Sequence, residues 1–132
     1  MILLDTHAAV WFARGSGLGK QSESLGKEAL TADQLAISAI SFWEIGLLVS
    51  RRRLKSIDSA EDMRERILGS GIIEVPLTGE IALRAVDLGG LPGDPADRFI
   101  MATAIVCDAI LMTADAGLLD WKHTVRRINA EE

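Results

Sequence analysis

Short strand-like runs alternate along this chain with longer segments of helical periodicity. The short runs fall at 2–5, 35–38, 72–75, 109–113 and 124–128. Apolar residues recur at 3.6-residue spacing in the longer segments, at 6–13, 22–31, 41–53, 59–69, 78–89 and 95–107. Because the first, second and fourth runs are apolar on both faces, the alternation predicts an α/β sandwich with a mainly parallel sheet. Ligand sites in such folds lie at the carboxyl ends of the strands.

The length of the chain, 132 residues, suits a single core. Two loops with turn residues, at 14–24 and 89–95, are too short to link domains, so we predict one domain over residues 1–132. No apolar run approaches the roughly 18–20 residues of a membrane span. The N-terminus does not resemble a secretory signal, and Cys107 is the only cysteine. These features favour a cytoplasmic protein with no membrane partner.

A net charge of −5 argues against broad electrostatic binding to nucleic acid, which normally requires a basic surface. It does not exclude a nucleic-acid substrate. Clustered acids that hold a divalent cation lower the net charge of the chain and still create a local positive centre.

Two acids lie at or just after the carboxyl end of a predicted strand. Asp5 comes after the apolar residues Ile2 to Leu4, and Asp115 comes two residues after the run that ends at Thr113. Each could simply be a helix N-cap that accepts hydrogen bonds from backbone amides. For Asp5, taken alone, capping and catalysis are equally good interpretations.

Two further acids lie at the starts of predicted helices. Ser41 and Glu44 fit a capping box, in which Ser41 caps the helix and Glu44 reaches back to the Ser41 amide. Asp94 can cap the later helix, and Asp97 lies in its first turn, near the positive end of the helix dipole. Local capping therefore explains each acid by itself.

The neighbours of these acids suggest that they share a site. Glu44 is followed at helical spacing by Leu47 and Leu48, and Asp97 by Ile100 and Met101, so both acids lie beside apolar surface. Asp5 and Asp115 follow strands at the sheet edge where α/β sites form. The four could converge on one cleft.

Convergence of carboxylates is costly unless a cation compensates. Two carboxylates about 5 Å apart repel by roughly 3 kcal/mol at an effective dielectric constant of about 20. A divalent cation would remove this conflict, and an oxygen-only site favours Mg²⁺ or Mn²⁺ over Zn²⁺. Such sites usually activate water and neutralise charge in phosphoryl transfer.

Other reactive residues give weaker signals. A metal-free ribonuclease would need paired histidines, and nothing places His7 near His123. Cys107 is expected in the core. The glycines of the 14–24 loop lack the spacing of a phosphate-binding loop.

Large aromatic residues and a basic run accompany the predicted helices. The aromatic residues at helical spacing are expected in the core or in a subunit interface; these are Trp11, Phe12, Phe42 and Trp43. Four cations end the helix that carries Glu44, where they favour the helix dipole, with phosphate contact as the alternative. These cations are Arg51, Arg52, Arg53 and Lys55.

Four stretches resemble the small PIN-domain ribonucleases of the VapC type, the toxins of type II toxin-antitoxin pairs. They are ILLDTHAAVW, ISAISFWEIGLLVSRRRL, PLTGEIALRAVDLGGLPGDPADRFIMATAI and AILMTADAGLL. They follow the family's order and spacing over nearly the whole chain. The segments SAISFWEI and DPADRFIMATA carry the most specific part of the resemblance.

The resemblance implies a three-layer α/β/α sandwich with a five-stranded, mainly parallel sheet and an acidic quartet that binds Mg²⁺ or Mn²⁺. By position the quartet is Asp5, Glu44, Asp97 and Asp115. Asp97, Asp5 and Asp115 would ligate the cation, and Glu44 would do so directly or through water. A metal-activated water would then cleave RNA, leaving a 5′-phosphate and a 3′-hydroxyl.

The resemblance also implies accessory residues and partners. Asp94 would be an accessory acid, Thr6 and Thr113 would orient carboxylates or water, and Arg98 would tether the acidic loop. The family usually dimerises and forms larger hetero-oligomers with a cognate VapB-type antitoxin, whose C-terminal segment occupies the cleft.

Three other functions are compatible with parts of this pattern. A haloacid-dehalogenase-like phosphatase would need an acid where His7 stands, and a response-regulator receiver would need a phosphoacceptor Asp and a Lys that the later strands lack. A non-catalytic PIN-like module that binds RNA or an antitoxin is the remaining alternative. The intact quartet argues against it.

Overall fold

The computed structural model describes residues 1–52, 59–91 and 94–132. These residues form a five-stranded sheet and seven helices. In chain order the elements are β1 (Ile2–Leu4), α1 (Thr6–Arg14), α2 (Lys20–Thr31), β2 (Leu35–Ser38), α3 (Ile40–Ser50), α4 (Ala60–Gly69), β3 (Ile73–Val75), α5 (Gly79–Val86), α6 (Pro95–Val106), β4 (Ile110–Thr113), α7 (Ala116–Asp120) and β5 (Arg127–Asn129).

The sheet has the order β3-β2-β1-β4-β5, and every neighbouring pair is parallel. The predicted α/β sandwich is therefore confirmed, with an entirely parallel sheet. The chain moves outward from β1 in one direction to β3 and then continues on the other side of β1 with β4. This topological switch point, where the connections diverge, is the place at which parallel sheets usually bind ligands.

Helices cover both faces of the sheet because alternate strand residues point in opposite directions. Leu3 and Leu111 pack on one side with α5 and α6, and Leu4 and Met112 pack on the other with α1, α3 and α4. These four strand residues are fully buried. The predicted three-layer arrangement follows from this alternation.

The glycine-rich segment after α1 has structural roles. Gly15 ends α1 in the left-handed conformation with φ of 73°, and α2 already begins at Lys20, inside the predicted 14–24 loop. A Cβ on Gly19 would lie 2.3 Å from the Glu131 carbonyl oxygen. The Gly19 amide also donates to the Ala130 carbonyl at 2.9 Å. Close backbone approach explains this glycine without a phosphate ligand.

Two predicted helices end early. The helix predicted at 78–89 ends at Val86, where the Arg98 side chain donates to the free carbonyl oxygens of Ala85 and Val86. The helix predicted at 41–53 ends at Ser50, and residue 53 lies outside the described residues. None of the helices in the described ranges combines the length and apolar character that crossing a bilayer demands.

Candidate active site

An acidic cavity of about 340 Å³ opens at the carboxyl edge of the sheet, beside the switch point between β1 and β4. We call it the acidic pocket. The four acids of the predicted quartet all line it, together with a fifth acid, Asp94. Its lining consists of Asp5, Thr6, His7, Trp11, Glu44, Asp94, Asp97, Ala114 and Asp115. Five carboxyl groups from separate parts of the chain therefore share one small volume.

Asp5 lies at the floor of this pocket, between β1 and α1. One carboxylate oxygen caps α1 by accepting from the Ala8 amide at 2.9 Å, and the other accepts from the Thr113 hydroxyl at 2.5 Å. The side chain is almost fully buried, and burial raises the pKa of Asp5. Asp5 is thus both a helix cap and a held carboxylate that faces other acids.

Thr113 joins two of the acids at the end of β4. Its hydroxyl donates to Asp5 and accepts from the Asp115 amide at 3.0 Å. Asp115 in turn caps the short helix α7 by accepting from the Leu118 amide at 3.1 Å. The predicted position of Thr113 as an orienting residue agrees with these contacts.

Glu44, on α3, is held by a hydrogen bond from Thr6, the first residue of α1. The buried Thr6 hydroxyl donates to a Glu44 carboxylate oxygen and is also hydrogen-bonded to the Ser41 hydroxyl at 3.0 Å. The predicted capping box is wrong, because α3 begins at Ile40, and its cap residue, Ala39, makes no side-chain cap hydrogen bond. Ser41 and Glu44 both bind Thr6 across the fold instead.

Asp94 and Asp97 lie one helical turn apart at the start of α6. Asp94 caps the helix by accepting from the Ala96 amide at 3.0 Å, as predicted. Carboxylate oxygens of Asp94, Asp97 and Glu44 lie within 4.8 Å of one another. Burial, followed by the negative charges of Asp94 and Glu44, raises the pKa of Asp97 to about 7.

The donor set of the acidic pocket suits a hard divalent cation. Its candidate ligands are carboxylate oxygens, which Mg²⁺ and Mn²⁺ prefer. Burial also raises the pKa of Glu44, and the charges of Asp94 and Asp5 add to the effect. Neighbouring negative charges thus add to the effect of burial on the pKa values of Glu44 and Asp97, and a cation in the pocket would offset this repulsion.

Arg98 fixes the segment that leads into α6. Its guanidinium donates four hydrogen bonds at 3.1–3.4 Å to carbonyl oxygens of α5 and the residues after it. The acceptors are Ala85, Val86, Leu88 and Leu91. Arg98 thereby joins α6 to the end of α5 and to the residues that follow it.

The two histidines lie in different surroundings. His7 is exposed and lines the acidic pocket. His123 stacks on Trp121 with ring centroids 4.5 Å apart, outside the residues that line that pocket. This separation agrees with the expectation that the histidines do not form a catalytic pair.

The predicted aromatic and basic residues of α3 lie at different depths. Trp43 is 55 % exposed, so the core position that was one of its two predicted places is wrong. Trp11, Phe12 and Phe42 are partly buried against the core. Cys107 is also only partly buried. Arg51 and Arg52 are exposed, and Arg53 and Lys55 lie outside the described residues.

Comparison with known proteins assigns this arrangement to a family. The PIN domain family model matches residues 2–122. The chain belongs to the PIN-domain family. It is 34 % identical over 123 residues to Ribonuclease VapC22 of Mycobacterium tuberculosis, a match that covers 92 % of each chain.

Solved structures show the same fold. The PIN domain described above matches a chain of FitAcB from Neisseria gonorrhoeae with 25 % identity and a TM-score of 0.67, over 98 % of both chains. It matches a chain of VapBC-1 from nontypeable Haemophilus influenzae with 18 % identity and a TM-score of 0.71, over the full length of both. Because only 18 % of the residues are identical in this second match, it shows a shared fold and no more.

The raised pKa of Asp97 predicts how stability of this PIN domain depends on pH without metal. The folded state binds a proton up to about pH 7, whereas an unfolded aspartate releases it near 3.8. Stability should therefore fall as pH rises from about 4 to 7. In thermal melts with chelator, Asp97→Asn should flatten this fall and be neutral or stabilising at pH 7. If Asp97→Asn had a lower Tm than wild type at pH 7, this prediction would be contradicted and a purely structural role for Asp97 would be favoured.

Proposed function

We propose that this chain is a metal-dependent endoribonuclease, the toxin of a type II toxin-antitoxin pair. The observation that carries the proposal is the convergence of Asp5, Glu44, Asp97 and Asp115 on one pocket, in a chain closely related to a named ribonuclease. Asp94 joins them as a fifth acid. The substrate is RNA, and the cofactor is Mg²⁺ or Mn²⁺.

The acidic pocket offers two overlapping sets of ligands for the cation. Asp5, Asp97 and Asp115 form the set implied by family resemblance, with Glu44 beside them. Glu44, Asp94 and Asp97 form the set whose oxygen atoms are already within 4.8 Å. When bound, a divalent cation lowers the pKa of coordinated water and neutralises charge that develops on the phosphate. Asp97 belongs to both sets, so we assign it the central position.

The polar residues of this chain hold the carboxylates in place before substrate binds. Thr113 fixes Asp5 relative to Asp115, and Thr6 fixes Glu44. Both threonines are almost fully buried. Each hydroxyl is itself held by a second hydrogen bond, Thr6 to Ser41 and Thr113 to the Asp115 amide, so the carboxylates that they bind have restricted rotamers and need little reorganisation during the reaction.

We also propose protein partners. One matched structure is described as a toxin-antitoxin complex from Klebsiella pneumoniae, and two others are described as VapBC, which carries the name of the toxin type that the sequence resembles. By this analogy a VapB-type antitoxin would cover the acidic pocket, and the chain would form a homodimer and larger hetero-oligomers with the antitoxin. A cytoplasmic location fits this function.

The end groups of the RNA products test the proposed chemistry. Hydrolysis by an activated water leaves a 5′-phosphate and a 3′-hydroxyl, whereas a histidine-based mechanism without metal would use the ribose 2′-hydroxyl and leave a 2′,3′-cyclic phosphate. We expect 5′-phosphate ends, detected by ligation or by a 5′-phosphate-dependent exonuclease. Cyclic phosphate ends would overturn the mechanism, and intact RNA with metal present would favour the non-catalytic binding module.

A further inference from the structure

A second cavity, of about 270 Å³, adjoins the acidic pocket along α3. We call it the flanking groove. It is lined by Trp43, Glu44, Leu47, Leu48, Arg51, Asp94 and Pro95. Glu44 and Asp94 line both cavities, so the groove leads directly away from the candidate catalytic carboxylates.

The wall of the flanking groove has an unusual composition for an exposed helix surface. Trp43 is 55 % exposed, and Leu47 and Leu48 are only partly buried. Trp43, Leu47 and Arg51 recur every four residues, which places them in one row along the helix, about 12 Å from first to last. The row therefore presents an aromatic ring, an aliphatic side chain and a cation in sequence.

We propose that the flanking groove binds one unpaired nucleotide of the RNA, next to the phosphate that is cleaved. Its base stacks on Trp43, and its phosphate contacts Arg51. This inference rests on the proposed function. Exposed aromatic side chains with nearby arginine are the usual means of binding single-stranded nucleic acid, because every base has a stacking face. In a chain of net charge −5, a local cation beside the pocket also helps to orient the backbone of the substrate.

Stacking is tested by changing the protein and the substrate together. Trp43→Ala should raise KM for a short single-stranded RNA about tenfold, with little change in kcat, and Trp43→Phe should retain most of the affinity. Leu83→Ala, which removes a side chain that is 74 % exposed and lines neither cavity, is the matched control. An abasic nucleotide, moved in steps along the substrate, should at one position raise KM for wild type but not for Trp43→Ala.

The phosphate contact has a separate signature. Removal of one contact to single-stranded RNA should reduce the slope of log KM against log salt by about 0.7. We expect this for Arg51→Ala. Arg84→Ala, which removes an exposed arginine on α5, should leave the slope unchanged. An unchanged slope in Arg51→Ala would overturn the assignment of Arg51.

Failure of this inference can be distinguished from failure of the proposed function. If wild type cleaves RNA and Trp43→Ala has the same KM, the nucleotide site is wrong and the nuclease assignment stands. If Trp43→Ala instead changes only the oligomeric state or antitoxin affinity, the groove is a protein interface. If wild type does not cleave RNA, binding of the same oligonucleotides still tests the site. Binding is measured by the quenching of tryptophan fluorescence, which is compared between wild type and Trp43→Phe. No loss of quenching in that variant would refute it.

Discussion

Asp97→Asn is expected to lower kcat/KM for RNA cleavage at least a hundredfold. The carboxylate belongs to both candidate sets of metal ligands, and its oxygen lies within 4.8 Å of carboxylate oxygens of Glu44 and Asp94. The amide keeps the size of the side chain but removes the negative charge. A hundredfold loss corresponds to about 2.7 kcal/mol of transition-state stabilisation, which is the scale expected when one preorganised group of an active site, here a ligand that holds the cation, is removed.

The control for this variant is Asp87→Asn. Asp87 is an exposed acid at the end of α5 and lines neither the acidic pocket nor the flanking groove. The Asp87→Asn variant should cleave RNA with the same kcat/KM as wild type. Because Asp97→Asn should be at least as stable as wild type without metal, lost activity cannot be attributed to unfolding. Cleavage by Asp97→Asn within a few-fold of wild type would remove Asp97 from the mechanism.

Removal of divalent cations is expected to abolish RNA cleavage, and Mg²⁺ or Mn²⁺ should restore it. The acids cannot all be charged at low cost without a cation, and the chemistry that we propose depends on one. Dialysis against chelator, followed by titration of each ion, measures the effect. The far-ultraviolet circular dichroism should not change, since the core lies in the layers between sheet and helices.

Binding of the same cation should also stabilise the fold. A ligand that binds only the folded state raises the free energy of unfolding by RT ln(1 + [L]/Kd), so Tm should rise with Mn²⁺ concentration. The rise should be much smaller in Asp97→Asn. Full cleavage in chelator, with no effect of added metal on Tm, would contradict the metal-dependent mechanism.

Local chemistry made part of the site predictable from sequence. Asp5, Asp94 and Asp115 each cap the helix that follows, as their positions indicated, because a cap depends on residues only two or three positions apart. Convergence of the acids could also be inferred, since Asp5 and Asp115 follow strands of a parallel sheet, whose carboxyl ends lie at the same edge. The order of the five strands was not predicted, because it depends on long-range pairing that the apolar runs do not specify.

Other features depended on tertiary contacts. The local pattern of Ser41 and Glu44 indicated a capping box, but Thr6, distant in sequence, binds both side chains and determines their orientation. Asp94 was predicted as an accessory acid, whereas its carboxylate lies close to those of Glu44 and Asp97. Trp43 was predicted as core or interface because helical spacing alone does not show which face of α3 is covered.

A crystal soaked in Mn²⁺ tests the central claim most directly, by the position of the anomalous scattering peak. We predict a peak in the acidic pocket, at about 2.0–2.2 Å from oxygen atoms of Asp97 and at least one other acid of the pocket. Contact with Glu44 and Asp94 or with Asp5 and Asp115 would choose between the two ligand sets. An empty pocket at a Mn²⁺ concentration that supports RNA cleavage would contradict the account.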